Sequence, residues 1–493
     1  MNGSLHSERT NLDQLIQLIC DKYVDTLSYE TLYQDGIQGI ISHLDPHTVY
    51  IPPEELGRVN EELEGSFFGI GVEFYIHQDT VCISHVFKGG PSENSGLKPG
   101  DRILQINKEV VAGKNLDVET VIQKMRGKQN TLMRLSVLDL DQKTKEIQIT
   151  RNTVPIHSVA GAFMLNQEVG YIALRMFSET TYDEFHQALS DLKKQGLKKL
   201  ILDLRNNPGG YMDAAARVAD EFISGEKLIL STRSHKANEE LKTGDVGIFE
   251  EGPLAVLINE NSASASEILA GAMQDHDRAI IVGRRSYGKG LVQEQFLLPD
   301  HSAIRITTAR YYLPSGRCIQ KSYHEGREKY EEDLSERYHQ GLLNHQDTQS
   351  HHQKKKFYTD KKRIVYDGEG ISPDYFIPVD TLNQAIQDSF YVYHIAEEFC
   401  IRIHHAHPAI FSAYKTVADF SQHFKISETI HQEFMDYIQY HRIPKTFMKN
   451  GLTSEYALQL LRAEWSKLLF GNNGYFLEMN KNDATVIAAM SHL

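Results

Sequence analysis

Three serines, Ser262, Ser264 and Ser266, alternate with alanines between a strand-like run, PLAVLIN, and a helical pattern, ASEILAGAMQD. One of them must therefore lie at a helix N-terminus, where unpaired backbone N–H groups and the positive end of the helix dipole can stabilise a developing oxyanion. The sequence from Ser264 to Glu267 also fits a capping box, which requires no catalysis. Taken alone, the segment favours this structural role.

Lys289 changes that balance, because it lies between Gly288 and Gly290 directly after the strand-like run RAIIVG. A lysine acts as a general base only when neutral, and lowering its pKa from about 10.4 to near 7 requires roughly 4 to 5 kcal/mol, which burial can supply. A serine at a helix start and a desolvated lysine are the minimal parts of a Ser-Lys acyl-transfer site. The alternative is a loop lysine in water, as most lysines are.

The same lysine almost completes a phosphate-binding loop, since residues 283–289 read GxxxxGK after a strand. Position 290 is glycine, however, where a Ser or Thr would bind magnesium. The following LVQEQFLL alternates like a strand, although a phosphate-binding loop requires a helix there. Nucleotide hydrolysis is therefore disfavoured.

A second glycine turn follows the strand-like LILDL, in the sequence Asn-Pro-Gly-Gly at 207–210. Glycine N–H groups can approach a substrate without obstruction by side chains. Gly209 and Gly210 are thus candidates for one oxyanion donor, with the N–H of Ala265 as the other. A tight turn that binds no ligand explains the glycines equally well.

A third glycine segment, Gly69-Ile70-Gly71-Val72, precedes a strand in FFGIGVEF. Consecutive N–H groups in such a loop can hold a terminal carboxylate, while the exposed strand edge pairs with an extended peptide. The motif gains specificity from SGLKPGDRILQIN, 95–107. These two segments predict a site for a peptide C-terminus.

The chain divides into four regions with different sequence patterns. An N-terminal helical region is marked by apolar residues with helical spacing, Leu12, Leu15, Ile16, Ile19 and Tyr23. Short β-like runs with glycine turns mark a compact module, and VETVIQKM at 118–125 predicts one helix in it. The strand-like runs VGYIAL, KKLILDL, PLAVLIN and RAIIVG alternate with helical patterns, which predicts an α/β domain with a largely parallel sheet. A charged, histidine-rich segment indicates a solvated insertion in that domain. After it, a last helical region is predicted by apolar spacing at Leu382, Ile386, Leu460 and Leu461 and by a glycine stop at Gly471. The regions are 1–64, 65–152, 153–380 with its polar insertion 323–362, and 381–493.

Composition restricts the partners of the chain. Its 493 residues carry a formal charge of −14, the wrong sign for binding nucleic acid or an acidic membrane. No apolar run is long enough to span a bilayer, and the start lacks an export signal, which predicts a cytoplasmic chain or one whose signal has been removed.

The residues His404, His405 and His407 form a cluster in the sequence that could in principle bind a metal. However, no HExxH or GxSxG pattern occurs, which disfavours a zinc peptidase or a Ser-His-Asp hydrolase.

Taken together, the motifs resemble the carboxy-terminal processing, or tail-specific, proteases. The family's motifs occur here in the expected order: LDPHTVYIP, FFGIGVEF, SGLKPGDRILQIN, LDLRNNPGG, SASASEILAGAMQD, GKGLVQ, ITTARYYLPSGRCIQ and GISPDYFIP. The resemblance implies an α/β protease core with crotonase-like βα sheet layers, an inserted β-rich PDZ domain, and helical N- and C-terminal regions.

The resemblance also implies roles for individual residues. Ser264 corresponds to the family's nucleophile, Lys289 to its general base and Gln293 to the residue that orients the lysine. Gly210 and Ala265 correspond to the oxyanion hole. Gly69 to Val72 belong to the PDZ-like module that captures the C-terminus of a substrate.

The implied function is a serine endopeptidase that recognises protein tails and hydrolyses peptide bonds through an acyl-enzyme, with no metal or organic cofactor. Its partners would be proteins or peptides with free C-termini, its location extracytoplasmic, as in the bacterial periplasm, and its helical terminal regions could form a homo-oligomer. The alternative is a catalytically idle PDZ-type scaffold that binds peptides.

Overall fold

The computed structural model describes residues 11–244, 246–345, 355–379, 390–441 and 454–493. The strands are β1 (Val49–Ile51), β2 (Ser66–Gly69), β3 (Val72–His77), β4 (Thr80–Val86), β5 (Arg102–Ile106), β6 (Glu109–Val110), β7 (Leu132–Leu138), β8 (Thr144–Thr150), β9 (Asn152–Pro155), β10 (Val159–Met164), β11 (Val169–Leu174), β12 (Lys199–Asp203), β13 (Leu228–Ser234), β14 (Asn238–Lys242), β15 (Leu254–Ile258), β16 (Ile280–Gly283), β17 (Leu291–Leu297), β18 (Ala303–Tyr312), β19 (Lys356–Tyr358), β20 (Ile364–Tyr366) and β21 (Tyr375–Phe376). The α-helices are Asn11–Lys22, Tyr29–Ile41, Pro53–Glu64, Val118–Met125, Thr181–Lys194, Met212–Asp220, Ala265–Asp275, Arg327–His339, Phe390–Ala406, Pro408–Ser412, Val417–His423, Glu428–Tyr440, Ser454–Phe470, Asn472–Met479 and Ala484–His492.

A six-stranded sheet forms the centre of the α/β region, in the order β10-β11-β12-β15-β16-β21. All its neighbouring strands are parallel except β10, which pairs antiparallel at one edge. The four strand-like runs of the sequence, β11, β12, β15 and β16, are consecutive neighbours, as the βα alternation predicts. Because β12 and β15 are adjacent and parallel, the turns that follow them meet at one edge of the sheet.

Apolar side chains on this sheet and its helices form the largest core. Leu200, Leu202 and Val256 are fully buried in it, and so are Leu269 and Met273 from the helix Ala265–Asp275. Every residue of that helix is buried. The helix start that carries the serines is therefore held on a rigid base.

A second, antiparallel sheet brings two distant segments to the same place. One edge of β18 pairs with β17, and its other edge pairs with β1 and β13. β1 belongs to the LDPHTVYIP motif near the N-terminus, whereas β17 directly follows Lys289. The pairing thus brings the N-terminal motif beside the lysine segment.

The β-rich module contains a sheet of order β3-β4-β5-β7-β8 with β6 paired to β5, and a separate ribbon of β2 and β9. Its single helix, Val118–Met125, has the bounds that the pattern VETVIQKM predicts. Ile83, Ile103 and Leu135 are fully buried in its core. The expected β-rich unit inserted ahead of an α/β core is confirmed.

The helical regions agree with the sequence patterns in part. In the last region, the helix Ser454–Phe470 buries Leu460 and Leu461 and ends before Gly471, whose φ is +71°. The apolar spacing at Leu382 and Ile386 lies outside the described residues. In the first helix Ile16 is buried, whereas the rest of the predicted stripe is more open, with Leu15 52% exposed. Among the described residues, no helix is both long and apolar enough to cross a membrane.

The polar segment after residue 322 is exposed over most of its described residues, as its charges predict, but a few of its side chains are buried. It forms the helix Arg327–His339, in which Tyr330 and Arg337 are only 3% and 4% exposed. Arg337 is buried because Asp333 pairs with its guanidinium and the main-chain carbonyl of Ser286 accepts one of its N–H groups. A charge pattern alone does not reveal such a distant partner.

Candidate active site

Ser264 stands at the start of the helix Ala265–Asp275 with a φ of +54° and a ψ of −114°. A side chain with a Cβ rarely adopts a positive φ, and such conformations cost about 1–3 kcal/mol and cluster at functional sites. The residue is half-buried. Its hydroxyl donates to no group in the described part of the chain.

The two neighbouring serines have different environments. Ser262 is fully buried and its hydroxyl donates to the carbonyl of Leu204 at 2.8 Å. Ser266 is also fully buried and donates to the carbonyl of Asn207 at 2.9 Å. The hydroxyls of Ser262 and Ser266 thus bind the segment that follows β12. Of the three serine hydroxyls, only that of Ser264 donates to no described group.

The carboxylate of Glu267 connects the serine turn to the lysine loop. One of its oxygens accepts the backbone N–H of Ser264 and that of Lys289, each at 2.9 Å. The other accepts the N–H of Gly288 at 2.7 Å and the hydroxyl of Ser286 at 2.6 Å. The side chain is fully buried, and this burial raises its pKa against the opposing effect of the hydrogen bonds.

These contacts bear on two alternatives from the sequence, a capping box at Ser264 and a phosphate-binding loop that ends at Lys289. The capping box does form, since Glu267 reaches back to the N–H of Ser264, but the same carboxylate also binds the lysine loop. The loop N–H groups that a phosphate would need are occupied by this carboxylate. The strand β17 then follows the loop, where a phosphate-binding loop requires a helix.

Tyr311 forms a second link between the two segments. Its hydroxyl lies 2.6 Å from the carbonyl oxygen of Lys289 and 3.2 Å from that of Ser264. The ring is 1% exposed, and burial raises the pKa of the phenol, so it stays protonated. Ser264 and Lys289 are therefore joined through both their N–H and their carbonyl groups.

The side chain of Lys289 donates to the Oε1 atom of Gln293 at 2.8 Å. Burial lowers the pKa of its amine to about 8, and the charge of Arg305 acts in the same direction. Asp45 and Glu267 oppose the shift without cancelling it. No hydrogen bond joins the Ser264 hydroxyl to the Lys289 amine in this structure, although both residues are described.

Gln293 is itself held by the N-terminal motif. Its amide donates to the main-chain carbonyl of His47, and a β-bulge between Val292 and Gln293 sets the local direction of β17. Asp45 fixes the turn by accepting the N–H of His47 at 2.9 Å and the hydroxyl of Thr48 at 2.7 Å. Burial and the charge of Lys289 lower the pKa of His47 to about 4, so its ring is neutral at pH 7.

The glycine turn after β12 lies against the serine turn. Gly209 has a φ of +101°, and a Cβ there would lie 2.8 Å from the Cβ of Ser264. Gly210 has a φ of +139°, and a Cβ there would lie 2.0 Å from the carbonyl oxygen of Phe177. No side chain fits at either position.

The amides of this turn differ in their partners. The N–H of Gly209 donates to the Oδ1 atom of Asn207 at 2.9 Å. Neither the N–H of Gly210 nor that of Ala265 donates a hydrogen bond within the described residues. These are the two amides that the sequence nominates for an oxyanion.

The predicted peptide site corresponds to a groove of about 280 Å³ between the start of β3 and the helix Val118–Met125. Apolar side chains dominate its walls, and the four residues Gly69 to Val72 line one end. The lining residues are Phe67, Gly69, Ile70, Gly71, Val72, Glu73, Phe74, Val118, Ile122, Met125 and Arg126.

The structure also shows what the sequence interpretation missed. The sequence pattern indicates Glu267 as a capping residue, but it does not predict the contacts of Glu267 with the lysine loop. Tyr311 and His47 lie in motifs quoted for the resemblance, and no role was predicted for either. Among the described residues, no group of three or more His, Cys, Asp or Glu side chains is arranged to hold a metal ion.

Comparison with known proteins finds two matching family models. Residues 168–326 match Peptidase family S41, and residues 58–138 match the PDZ domain. Two segments of the chain are therefore similar to known families, one to the S41 peptidases and one to the PDZ domain. The resemblance to carboxy-terminal processing proteases is confirmed.

Individual proteins with similar sequences or structures are described as processing or CtpA-like serine proteases. A probable CtpA-like serine protease of Staphylococcus epidermidis is 34% identical over 324 residues, covering 64% of this chain and 65% of the relative. One from Staphylococcus aureus is 32% identical over 325 residues, covering 65% and 64%. The match thus spans just under two thirds of the length of these relatives. A solved photosystem II D1 C-terminal processing protease is 25% identical, covering 76% of this chain and 94% of the other, with a TM-score of 0.39.

Proposed function

We propose that this chain is an endopeptidase in which Ser264 is the nucleophile and Lys289 the general base. The observation that carries the proposal is the pairing of the two residues by Glu267 and Tyr311, with the pKa of the lysine lowered to about 8. A pKa near the working pH gives a useful fraction of neutral amine. The Ser264 hydroxyl donates to no described group, whereas those of Ser262 and Ser266 donate to main-chain carbonyls, and this contrast supports Ser264 as the nucleophile.

The reaction follows from these positions. The neutral amine of Lys289 takes the proton of the Ser264 hydroxyl while Oγ bonds to the peptide carbonyl carbon. The resulting oxyanion accepts the N–H groups of Gly210 and Ala265. The lysine then gives the proton to the leaving amine as the C–N bond breaks, which leaves an ester on Ser264. Water, deprotonated by the lysine, hydrolyses this ester and regenerates the hydroxyl.

The amine of Lys289 has to reach the hydroxyl before this sequence can begin. In the structure it donates to Gln293 instead, but the lysine side chain has four rotatable bonds and catalytic hydrogen bonds often tighten only when substrate binds. Gln293 keeps the amine in the site from one side. We assign Gln293 the role of orienting the lysine.

The substrate class follows from the groove of the PDZ domain. Consecutive N–H groups from Gly69 to Val72 suit a terminal carboxylate, and the apolar walls suit an apolar last residue. We propose that the domain holds the free C-terminus of a protein while the extended tail reaches Ser264. The location is proposed to be extracytoplasmic, and cell fractionation with an antibody to the chain tests it.

The decisive experiment uses an unstructured protein with an apolar C-terminus. Wild-type protein should cleave it, and Ser264→Ala and Lys289→Ala should each abolish cleavage while circular dichroism shows an unchanged fold. Lys361→Ala, at an exposed position, is the control and should cleave normally. Cleavage retained by Ser264→Ala would exclude the proposed nucleophile.

One observation favours a second candidate, a peptide-binding scaffold without turnover. This observation is that no hydrogen bond connects the Ser264 hydroxyl with the Lys289 amine. A scaffold would bind a peptide ending in an apolar residue with the same affinity as the Ser264→Ala variant, and neither protein would cleave it. Turnover by the wild type eliminates this candidate.

The helical terminal regions are proposed to form a homo-oligomer. Helix Asn11–Lys22 exposes Leu15 and Leu18 by 52% and 56%, and Val24 beyond it is 88% exposed. Unpartnered apolar side chains of this kind commonly mark an interface. Light scattering of wild type and of Leu15→Glu/Leu18→Glu tests this, since a monomeric wild type would contradict it.

A further inference from the structure

A helix beyond the matched peptidase residues packs on the lysine loop. The family match ends at residue 326, and the helix Arg327–His339 begins immediately afterwards. Its residue Arg337 donates to the carbonyl of Ser286 at 3.0 Å, and Tyr330 lies with its ring edge-to-face on Tyr287, with the centroids 6.1 Å apart. The helix thus contacts the loop at two consecutive residues before Gly288.

Tyr330 also reaches the residue that holds Gln293. Its hydroxyl lies 2.7 Å from the Nε2 atom of His47, and the two rings meet edge-to-face with centroids 5.3 Å apart. The main-chain carbonyl of His47, and not its ring, accepts the amide of Gln293, whose Oε1 atom accepts the amine of Lys289. A continuous chain of three hydrogen-bonded contacts therefore runs from the helix to the lysine.

The environment of Tyr330 leaves it little freedom. The residue is 3% exposed. Lys321 lies over its ring with Nζ 4.0 Å from the centroid and donates to its main-chain carbonyl at 3.1 Å. Gln320 donates to the Tyr330 hydroxyl at 3.3 Å and accepts the N–H of Gly290 at 2.8 Å. Tyr330 is thus fixed between the glycines that flank Lys289 and the turn that contains His47.

We propose that Tyr330 is a positioning residue that fixes Gln293, and through it Lys289, by holding His47. This inference rests on the proposed function, because it assigns a structural support to the same general base. The helix Arg327–His339 is then a brace for the active site that lies outside the matched peptidase segment. A brace of this kind affects the chemical step and not substrate capture, because neither Tyr330 nor the residues that it contacts line the groove.

The first test separates kcat from KM for a peptide substrate. Tyr330→Phe removes the hydroxyl and keeps the ring, and it should lower kcat about ten-fold, the scale of one lost hydrogen bond, with KM unchanged. His47→Asn breaks the same contact from the other side and should give a loss of the same size. Tyr338→Phe is the matched control, since this tyrosine is on the same helix and 60% exposed, and its kcat should equal that of the wild type.

A double-mutant cycle distinguishes positioning from a general effect on stability. If Tyr330 acts through Gln293, Tyr330→Phe should cause no further loss of kcat in a Gln293→Ala protein. Losses that multiply, or a kcat of Tyr330→Phe equal to that of the wild type, would overturn the inference. Equal thermal midpoints for Tyr330→Phe and Tyr338→Phe show that folding is not the cause.

A labelling experiment tests the brace without any turnover. In Ser264→Ala protein, acetylation of Lys289 by acetic anhydride, quantified by mass spectrometry, should become several-fold faster with Tyr330→Phe and stay unchanged with Tyr338→Phe. An unchanged rate with Tyr330→Phe contradicts the brace. If the wild type cleaves no peptide but the labelling rate still rises, the proposed function fails and the brace stands.

Discussion

Lys289 can act as a base only in its uncharged form, and the structure supplies the condition for this. Burial lowers the pKa of its amine to about 8, whereas a lysine in water stays charged up to pH 10. Ser264 contributes a hydroxyl on a backbone held at a φ of +54°. The strained backbone of Ser264 and the desolvated amine of Lys289 each have an energetic cost. The stability of the surrounding buried core offsets this cost.

The pH dependence of cleavage tests this property. Because neutral lysine is the reactive form, kcat should rise about ten-fold per pH unit below pH 7 and level off above about pH 8. Stopped assays between pH 5.5 and 9.5 measure it. A rate that is flat across this range, or that falls between pH 6 and 8, would mean that the titrating base is not this amine.

At the scale of elements, the turns that follow β12 and β15 bring together the groups that we propose to be catalytic. The two strands are parallel neighbours, so their following turns meet and Gly209 lies against Ser264. Gly210 contacts Phe177 so closely that a side chain has no space. The positions of the amides proposed to bind the oxyanion depend on these contacts.

Gly210→Ala tests the turn. A Cβ would meet the Phe177 oxygen at 2.0 Å, so the turn must move, and we expect at least a hundred-fold loss of kcat together with a loss of roughly 2 kcal/mol in the free energy of unfolding. Urea unfolding and steady-state kinetics measure the two effects.

Gly225→Ala is the matched control for Gly210→Ala. Gly225 also has a positive φ, of +76°, but a Cβ there would have no neighbour within 4 Å. This variant should lose only the conformational part, about 1 kcal/mol, and keep its kcat. Full activity in Gly210→Ala would show that the turn is not part of the oxyanion site.

Many of the helices and strands around the site could be predicted from the sequence, because the signals for them are local. The alternation SASAS before a helical pattern places Ser264 at a helix start, and VETVIQKM gives a helix with the bounds Val118–Met125. The contacts that complete the site connect distant positions. Glu267 binds a loop 22 residues away and Gln293 binds His47, 246 residues away, and no periodicity records such pairs.

The polar insertion is a second example of contacts that a sequence pattern does not reveal. Its charged sequence predicts a solvated segment, yet Tyr330 and Arg337 are buried against the lysine loop. The charge of Arg337 is neutralised by Asp333 on its own helix, one turn away. A pattern of charges describes the exposed face of a helix, and it does not show which two residues face inward.

At the scale of the molecule, we expect the PDZ-like module to recognise the substrate and the α/β region to carry the chemistry. Ile122 lines the apolar groove, and none of the residues described around Ser264 is among the groove's lining. Ile122→Asp places a charge among apolar walls, so it should raise KM for a protein with an apolar C-terminus at least ten-fold. Its turnover of a short peptide that does not reach the groove should not change.

The matched control for this variant lies on the same helix. Glu119 is exposed and does not line the groove, so Glu119→Gln should leave both substrates unaffected. Steady-state kinetics with the two substrates measures the difference. A protein substrate whose KM is insensitive to Ile122→Asp would show that its tail is recognised elsewhere.

The most direct measurement of the central proposal is the detection of the ester on Ser264. Wild-type protein mixed with substrate and quenched in acid within milliseconds should carry the acyl part of the substrate, and mass spectrometry of its peptides should locate the adduct at Ser264. Ser264→Ala should carry none. An adduct on another residue, or rapid cleavage with no adduct at Ser264, would contradict a serine nucleophile activated by Lys289.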